Sequence, residues 1–234
     1  MLLRLQNLLL YDIINIIMKY YVKKLFNILP RYGWIMIACS LTLNVLTYNG
    51  TRLLIENSTK YDLTTTLDTL IPFRTEWVII YLLAYIQWFI GFVAAGRERK
   101  ALCYRILGGE MIAKFLCMVC YILIPVTIVR PEIVGNAPWD YITRLIYHID
   151  APESLFPSIH CLESYICFRG AMLSEKLPRW YVPVTGCFAL LVFASTVLIK
   201  QHFLLDIIAG VLVGEIGLQV SRLFTTKKDN VLNG

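Results

Sequence analysis

The sequence predicts an all-α protein: a polytopic bundle of six transmembrane helices, preceded by an amphipathic N-terminal helix at the membrane interface. Composition is the first observation, because 58% of the 234 residues are hydrophobic and only 16% are charged. Soluble domains have about 45–50% apolar and about 25% charged residues. The second observation is a mean hydropathy of +0.63, and the third is the alternation of apolar runs with short polar or basic segments.

Residues 1–32 mix Leu and Ile with Arg4, Asp12 and several lysines. No small-residue cleavage site follows a clean apolar core, so we expect an amphipathic helix on the inner membrane face and not a removable signal peptide. At the other end of the chain, residues 224–234 are expected to form a polar cytoplasmic tail.

Polar or proline-containing segments separate the six spans. The first span is short for the about 20 residues that a membrane-crossing helix needs. Pro72 lies in the polar loop before the second span, and Arg130-Pro131 ends the third. The predicted spans are residues 33–49, 77–96, 110–129, 157–174, 181–199 and 203–223. The sequence has no repeat or low-complexity segment, so residues 33–223 are expected to form one domain.

Lysine and arginine are distributed unevenly between the two sides of these spans. The segments on one side carry 15 of them and the segments on the other side carry six. By the positive-inside rule, both termini are expected in the cytoplasm. The expected location is a bacterial plasma membrane, with Arg130, His160, Lys200 and His202 at its outer face.

Neither the net charge nor the cysteines indicate another class of protein. The net charge of +6 is spread between apolar runs, which is typical of membrane topology and not of a nucleic-acid-binding patch. The seven cysteines are odd in number and scattered, so they give no disulfide or zinc framework. Cys117 and Cys120 form a CxxC pair, which we interpret as packing within a span.

Candidate chemistry is concentrated in the stretch from Ser195 to Asp206. If the chain is helical from His202 onward, His202 and Asp206 lie four residues apart on one face. The carboxylate can then accept the Nδ1–H of the imidazole and leave Nε2 as a nucleophile or base. Residues 157–160, with the sequence PSIH, open another span and place a second histidine, His160, at a helix start.

Two classes of ligand fit two histidines and an aspartate. A metal ion is one of them. An oxyanion fits better, because Lys200 and Arg130 would repel a cation. Helix starts also present free N–H groups to an anion. We therefore expect the site to bind an anion, with phosphate as the first candidate, and to contain no metal and no cofactor.

These residues resemble the type 2 phosphatidic acid phosphatases, also called lipid phosphate phosphatases. That superfamily extends to haloperoxidases and, more distantly, to sphingolipid synthases. Its pattern has three parts: K-x6-R-P, P-S-G-H and S-R-x5-H-x3-D. The chain matches it at Arg130-Pro131, at Pro157-Ser158 with His160, and at Ser195 with His202 and Asp206. The six-span layout extends the resemblance over nearly the whole chain.

The resemblance implies a role for each matching residue. His202 would be the nucleophile that takes the phosphoryl group, and Asp206 would orient it. His160 would protonate the leaving oxygen, while Arg130 and Ser158 would hold phosphate oxygens. The resemblance also implies chemistry without a metal, at the outer leaflet.

The chain departs from the pattern at three positions. Leu123 replaces the lysine of the first part, Thr196 the arginine of the third, and Ile159 the glycine of the second. The loss of two cations matters for a phosphomonoester, which carries close to two charges at neutral pH. Lys200 follows Thr196 by four residues, so we expect it one helical turn closer to His202 and in contact with the phosphate.

The expected function is hydrolysis of a lipid phosphomonoester or pyrophosphate through a phosphohistidine intermediate. A phosphodiester carries one charge, so a phosphotransferase of the sphingolipid or inositol-phosphorylceramide synthase type is the alternative. A non-catalytic membrane scaffold is the third hypothesis. The expected partner is a lipid phosphate in the membrane, with no nucleic acid, and homo-oligomerisation stays open.

Three smaller features allow two interpretations each. Glu163 either pairs with Arg130 or Lys200 or is a protonated or hydrogen-bonded packing residue. The GxxxG motif, with glycines at 210 and 214, favours packing inside the bundle over dimerisation. Residues 148–150, with His148 and Asp150, are expected in a solvated outer loop, and contact with a headgroup is the alternative.

Overall fold

The computed structural model describes residues 27–232, which are mostly helical. The prediction for residues 1–32 therefore falls mostly outside the described part of the chain. The helices are α1 Arg31–Val45, α2 Thr51–Ile55, α3 Thr66–Leu70, α4 Val78–Arg97, α5 Lys100–Leu123, α6 Pro138–Ile149, α7 Ile159–Leu173, α8 Tyr181–Leu198 and α9 Leu204–Leu232. A π-helical turn, Leu46–Gly50, joins α1 to α2, and a 3-10 turn, Thr75–Trp77, precedes α4.

Each of the six predicted spans coincides with a helix, but four helices of the described chain are long and apolar enough to cross a membrane. These four are α4 with its preceding turn, α5, α8 and α9. Helices α1 and α7 have 15 residues each, which is about 22 Å at 1.5 Å per residue. Helix α1 continues without a break through the π-helical turn into α2, so that residues 31–55 form one helical segment. The structure therefore supports an integral membrane protein with four candidate spans.

The third predicted span, 110–129, is wrong at both ends. Helix α5 starts at Lys100, inside the basic segment expected to be a loop, and ends at Leu123. Pro125 has no N–H and disfavours helical conformation in the residue before it, so the helix cannot continue. The chain then becomes extended, and β2 (Val126–Thr127) pairs in parallel with β1 (Tyr61–Asp62).

Glycines bring α9 into close contact with its neighbours inside the bundle. A Cβ atom at Gly210 would lie 2.6 Å from the carbonyl oxygen of Ser158, at the start of α7. A Cβ atom at Gly217 would lie 2.2 Å from the carbonyl oxygen of Gly109 in α5. These backbones approach so closely that no larger residue fits. The GxxxG region therefore packs within the chain, as the sequence favours.

A buried cluster of charges lies between α5 and α7. The ammonium of Lys114 pairs with Glu110, one turn away on α5, and with Glu163 of α7 at 2.7 Å. All three side chains are almost inaccessible to solvent. Glu163 therefore pairs with Lys114 and with neither Arg130 nor Lys200, since the ammonium on the neighbouring helix satisfies its charge inside the bundle.

Candidate active site

His202 lies between α8 and α9, in a turn that a left-handed residue helps to form. Helix α8 ends at Leu198, and Lys200 has φ of 52°, a conformation that is uncommon for a residue with a side chain. The N–H of His202 then donates to the carbonyl of Thr196 at 3.2 Å. The turn places His202 immediately before α9, where Asp206 is in the first turn.

The imidazole of His202 is held by the carboxylate of Asp206. Nδ1 of His202 lies 3.1 Å from Oδ2 of Asp206, and the N–H of Phe203 donates to the same oxygen at 3.0 Å. Asp206 is completely buried and His202 is 8% exposed. An Nδ1–H that donates to this carboxylate leaves Nε2 as the ring nitrogen with a free lone pair. This is the pairing that the spacing predicts.

His160 reaches the same place from the start of α7. Its ring centroid lies 6.1 Å from that of His202. The N–H of Ser158 donates to the carbonyl of Asp206 at 3.1 Å, and Gly210 gives α7 the room for this approach. The PSIH segment and the His202 segment are thus joined through their main chains, and the structure brings the two predicted histidines together.

Aromatic side chains of α4 surround His160. The ring of Tyr81 stacks on it with centroids 4.1 Å apart and an interplanar angle of 19°, and the rings of Trp88 and Tyr85 lie 4.9 and 5.6 Å away. The hydroxyl of Tyr81 is 3.4 Å from Nδ1 of His160. Nε2 of His160 is buried and has no hydrogen-bond partner among the described residues. Such an atom is costly unless a ligand or water completes it.

Both histidines line a cavity of about 260 Å³. Aromatic residues form much of its wall, and two carboxylates and the start of α7 complete it. The lining includes Tyr48, Tyr81, Tyr85, Trp88, Tyr121, Asp150, Glu153, Ile159, His160 and His202. A pocket of this kind, mainly apolar with a few convergent polar groups, is typical of a ligand site.

Arg130 lies beside the turn that carries His202. Its Nη1 donates to the carbonyls of Tyr147 at 3.1 Å and Asp150 at 2.5 Å, and its Nη2 donates to the side chain of Gln201. Its Nε is buried and has no partner among the described residues. Burial lowers the pKa of Arg130 and the charge of Asp150 opposes this, but a guanidinium stays protonated in proteins. Arg130 thus places a fixed positive charge beside the His202 turn, with its Nε not engaged by the described residues, although it is not among the residues that line the cavity.

Lys200 does not face the cavity, and the structure does not support it as a phosphate ligand. Its ammonium donates to the carbonyls of Asp68 at 2.9 Å and Ile71 at 2.7 Å. The prediction assumed a helical turn between Thr196 and Lys200, but α8 ends at Leu198. Lys200 has a left-handed conformation, and its side chain reaches the segment that contains Asp68 and Ile71. Partial burial lowers the pKa of Lys200, and Asp68 opposes this.

The hydroxyl of Ser158 is also engaged elsewhere. Ser158 is completely buried, and its Oγ accepts the N–H of Cys161 at 3.3 Å as the N-cap of α7. The side chain thus fixes the helix that carries His160, and contact with a phosphate oxygen stays a prediction. Leu123, which stands where the resemblance expects a lysine, is 71% exposed.

Sequence reasoning missed Asp68, which ties the segment between α2 and α4 to the His202 turn. Its Oδ1 accepts the N–H of Leu204 at 2.8 Å, and its Oδ2 accepts the N–H of Thr65 at 2.9 Å in a capping box at α3. Partial burial opposes ionisation, but hydrogen bonds from Thr65 and Leu204 and the charge of Lys200 outweigh it, so the pKa of Asp68 is lowered. The capping pattern at Thr65 and Asp68 was the only signal in the sequence.

Asp150 was expected in a solvated loop, but it follows α6 and lines the cavity. Its carboxylate accepts from the hydroxyl of Tyr48 and lies 3.4 Å from that of Tyr81. His148 remains exposed. No spacing rule links residues so far apart in sequence, so only the folded chain identifies Asp150 as part of the wall.

Within residues 27–232, no group of three or more His, Cys, Asp or Glu side chains is arranged to hold a metal ion. His202 and Asp206 bond directly to each other through Nδ1 and Oδ2.

Comparison with known proteins gives a match to a family model. Residues 115–229 match the family model described as the PAP2 superfamily. No curated protein and no solved structure matches the chain. The matched range contains Arg130, Ser158, His160, His202 and Asp206, whereas the aromatic residues of α4 and the loop with Asp68 lie outside it.

Proposed function

The chain belongs to the PAP2 superfamily through residues 115–229, and from this premise we propose that it is a membrane enzyme that breaks a phosphoric ester bond of a lipid by way of His202. Hydrolysis of a lipid phosphomonoester or pyrophosphate is the first candidate reaction. The observation that supports it best is the convergence of two histidines on one cavity, with His202 oriented by Asp206 through Nδ1.

In the proposed reaction, the free lone pair on Nε2 of His202 attacks phosphorus. A phosphorus–nitrogen bond forms, and the bond from phosphorus to the leaving oxygen breaks. His160 gives its proton to that oxygen as the general acid. It then takes a proton from the water that attacks the phosphohistidine, which releases phosphate and restores both histidines. General acid–base assistance of this kind typically contributes about 10²–10⁴-fold.

Asp206 and Arg130 have supporting roles in this scheme. The carboxylate of Asp206 holds the imidazole in one tautomer and balances the positive charge that His202 gains on attack. The guanidinium of Arg130 stabilises negative charge on the phosphate oxygens. The reaction proposed here needs no metal ion.

Transfer of a phospho-headgroup from a phosphodiester lipid to an alcohol is the second candidate, and the charges around the cavity favour it. Lys200 is engaged by main-chain carbonyls, Leu123 offers no charge, and the carboxylate residue Asp150 lines the wall outside any ion pair of the described residues. A phosphomonoester carries close to two negative charges at neutral pH, whereas a phosphodiester carries one. The diester therefore meets less repulsion and needs fewer cations.

The proposed substrate is a lipid in the membrane, and no nucleic acid takes part. We place both termini in the cytoplasm and the cavity toward the outer face, from the excess of lysine and arginine on the opposite side.

The test is an assay of the purified protein in detergent with a panel of lipid phosphomonoesters, pyrophosphates and phosphodiesters, each with and without an alcohol acceptor. Free phosphate identifies hydrolysis of a monoester or pyrophosphate, and a released phosphomonoester identifies hydrolysis of a diester. An acceptor that carries the phospho group of the lipid identifies transfer. Acid-labile, base-stable label from a ³²P-lipid should appear on wild-type protein and not on His202→Ala. Turnover without any labelled histidine would contradict the covalent route.

A further inference from the structure

We propose that the cavity in front of His160 and His202 binds a cationic amine headgroup, of the choline or ethanolamine kind, so that the lipid attacked is a zwitterionic phosphodiester. This inference rests on the proposed function of His202, selects its second candidate substrate class, the phosphodiesters, and names the headgroup. It places the phosphorus at His202 and the ammonium among the rings and the carboxylate that line the same cavity.

The aromatic wall has the chemistry that recognises an alkylated ammonium. Tyr81, Tyr85 and Trp88 come from one helix, α4, and Tyr48 and Tyr121 add rings from other parts of the bundle. The face of an aromatic ring carries negative charge density and attracts a cation within about 6 Å. A quaternary ammonium has no N–H to donate, so a group of rings binds it where a hydrogen-bonding pocket would not.

A carboxylate outside any ion pair of the described residues supplies the second element, with the guanidinium of Arg130 as its neighbouring cation. Asp150 accepts from the hydroxyl of Tyr48 and lies 3.4 Å from that of Tyr81. No ion pair in the described part of the chain includes it. Arg130 donates to its carbonyl oxygen, and the carboxylate faces the cavity. A negative charge in this position repels a dianionic phosphate and attracts an ammonium.

Glu153 is the matched carboxylate in the same wall. It pairs with Lys60, so its charge is already neutralised. The carboxylate of Asp150 thus lies outside any ion pair of the described residues, whereas that of Glu153 is paired. This difference gives a control within one cavity.

Packing around His160 explains part of the aromatic cluster but not all of it. A structural role accounts for the stacking of Tyr81 on His160 and for the hydrogen bond from Nε1 of Trp88 to Ser164. It does not account for Asp150, whose charge serves no ion pair among the described residues. Tyr85 lines the cavity although it is 50% exposed, and packing around His160 gives no reason for this position.

The experiment compares four lipids with the same acyl chains in a maltoside detergent: phosphatidylcholine, phosphatidylethanolamine, phosphatidylglycerol and phosphatidate. We expect kcat/KM for phosphatidylcholine or phosphatidylethanolamine to exceed that for phosphatidylglycerol by at least about tenfold. Asp150→Asn should remove most of this preference, because it keeps the shape and loses the charge. Glu153→Gln should retain the preference, and Tyr85→Leu should weaken it by roughly three- to tenfold.

A second measurement does not depend on turnover. Glycerophosphocholine and glycerophosphoglycerol share the phosphodiester and lack acyl chains, so calorimetric titration of each isolates the headgroup. We expect tighter binding of glycerophosphocholine to wild type and equal binding of the two to Asp150→Asn. Competition by free choline, but not by sodium at the same ionic strength, would show that the ammonium alone is recognised.

The outcomes separate this inference from the function on which it rests. Turnover of phosphatidate or phosphatidylglycerol that requires His202, is as fast as that of phosphatidylcholine and is unchanged in Asp150→Asn would overturn the headgroup site and leave the proposed function standing. Equal binding of the two glycerophosphodiesters to wild type would also overturn it. Absence of any His202-dependent turnover, with selective binding of glycerophosphocholine, would contradict the function and leave the cationic site in place.

Discussion

The carboxylate of Asp68 accepts a hydrogen bond from the main-chain N–H of Leu204, 2.8 Å away, although 136 positions separate the two residues in sequence. Leu204 begins α9, two residues after His202, and the carbonyl of Asp68 accepts from Lys200 on the other side of His202. Asp68 therefore holds both ends of the turn that presents the nucleophile.

The first prediction follows from this anchorage. Asp68→Ala should lower kcat by roughly 10–100-fold with little change in KM, because a loosened His202 is presented in the wrong position while the cavity stays intact. Asp68→Asn should recover part of the rate, since an amide oxygen still accepts from Leu204. The control is Asp62→Ala in the same segment between α2 and α4, because the carboxylate of Asp62 bonds only to Thr64 among the described residues. Equal loss in both variants would refute a specific role for Asp68.

The second prediction concerns pH. The pKa of Asp68 is lowered in the folded protein, so its contribution to stability is fully present above the unfolded value of about 3.9 and is lost as the pH falls through the folded value. The melting temperature of wild type should therefore exceed that of Asp68→Asn above about pH 5, and the gap should shrink below about pH 4. Thermal unfolding in detergent from pH 3 to 6 measures this gap. A gap that stays constant over this range would show that ionisation of Asp68 is not involved.

The third prediction concerns the nucleophile. His202→Ala should reduce turnover to background, because the covalent route disappears. Asp206→Asn should leave measurable activity, lower by roughly 10²–10⁴-fold, because the imidazole remains but loses its charged partner. Both variants should elute as wild type on size exclusion. Wild-type turnover by His202→Ala would end the proposal.

The fourth prediction concerns metal ions. Activity should survive EDTA and be inhibited by vanadate, which mimics five-coordinate phosphorus. The measurement is turnover of the best lipid substrate after dialysis against chelator. Loss of activity in EDTA that a divalent ion restores would reassign the histidines and Asp206 to metal chemistry.

The fifth prediction concerns orientation in the membrane. In a variant without native cysteines, Val134→Cys should react with a membrane-impermeant maleimide on intact cells, and Arg179→Cys should react only after lysis. Both positions are exposed, and they lie in loops on opposite sides of the predicted spans. The reverse pattern would show that the distribution of basic residues does not set the topology here.

The sequence predicts contacts that depend on local spacing. His202 and Asp206 lie within one turn of helix, and the helix start at residue 158 follows from its proline and serine, so these features can be derived from neighbouring residues. The predicted position of Lys200 was wrong because a left-handed residue ends the helical register after Leu198.

Contacts between distant segments carry no such signal. Asp68 and Asp150 reach the site because loops fold over the ends of the spans, and nothing in their own neighbourhoods fixes where those loops go. The end of α5 is an intermediate case, since Pro125 predicts a break but the apolar run continues to Val129. Hydropathy measures preference for lipid and cannot distinguish a helix from an extended apolar segment.

Gly210 has no functional group, yet it sets the separation of the two histidines. Its missing methyl group lets the Ser158 carbonyl rest against α9, and that contact fixes how far His160 stands from His202. A proton donor and a nucleophile must both lie close to the same reacting phosphoryl group. The distance between the two imidazole rings therefore depends on a close main-chain contact at a residue that takes no part in the reaction. An alanine there would act as a spacer, lengthening the gap between acid and nucleophile without altering either.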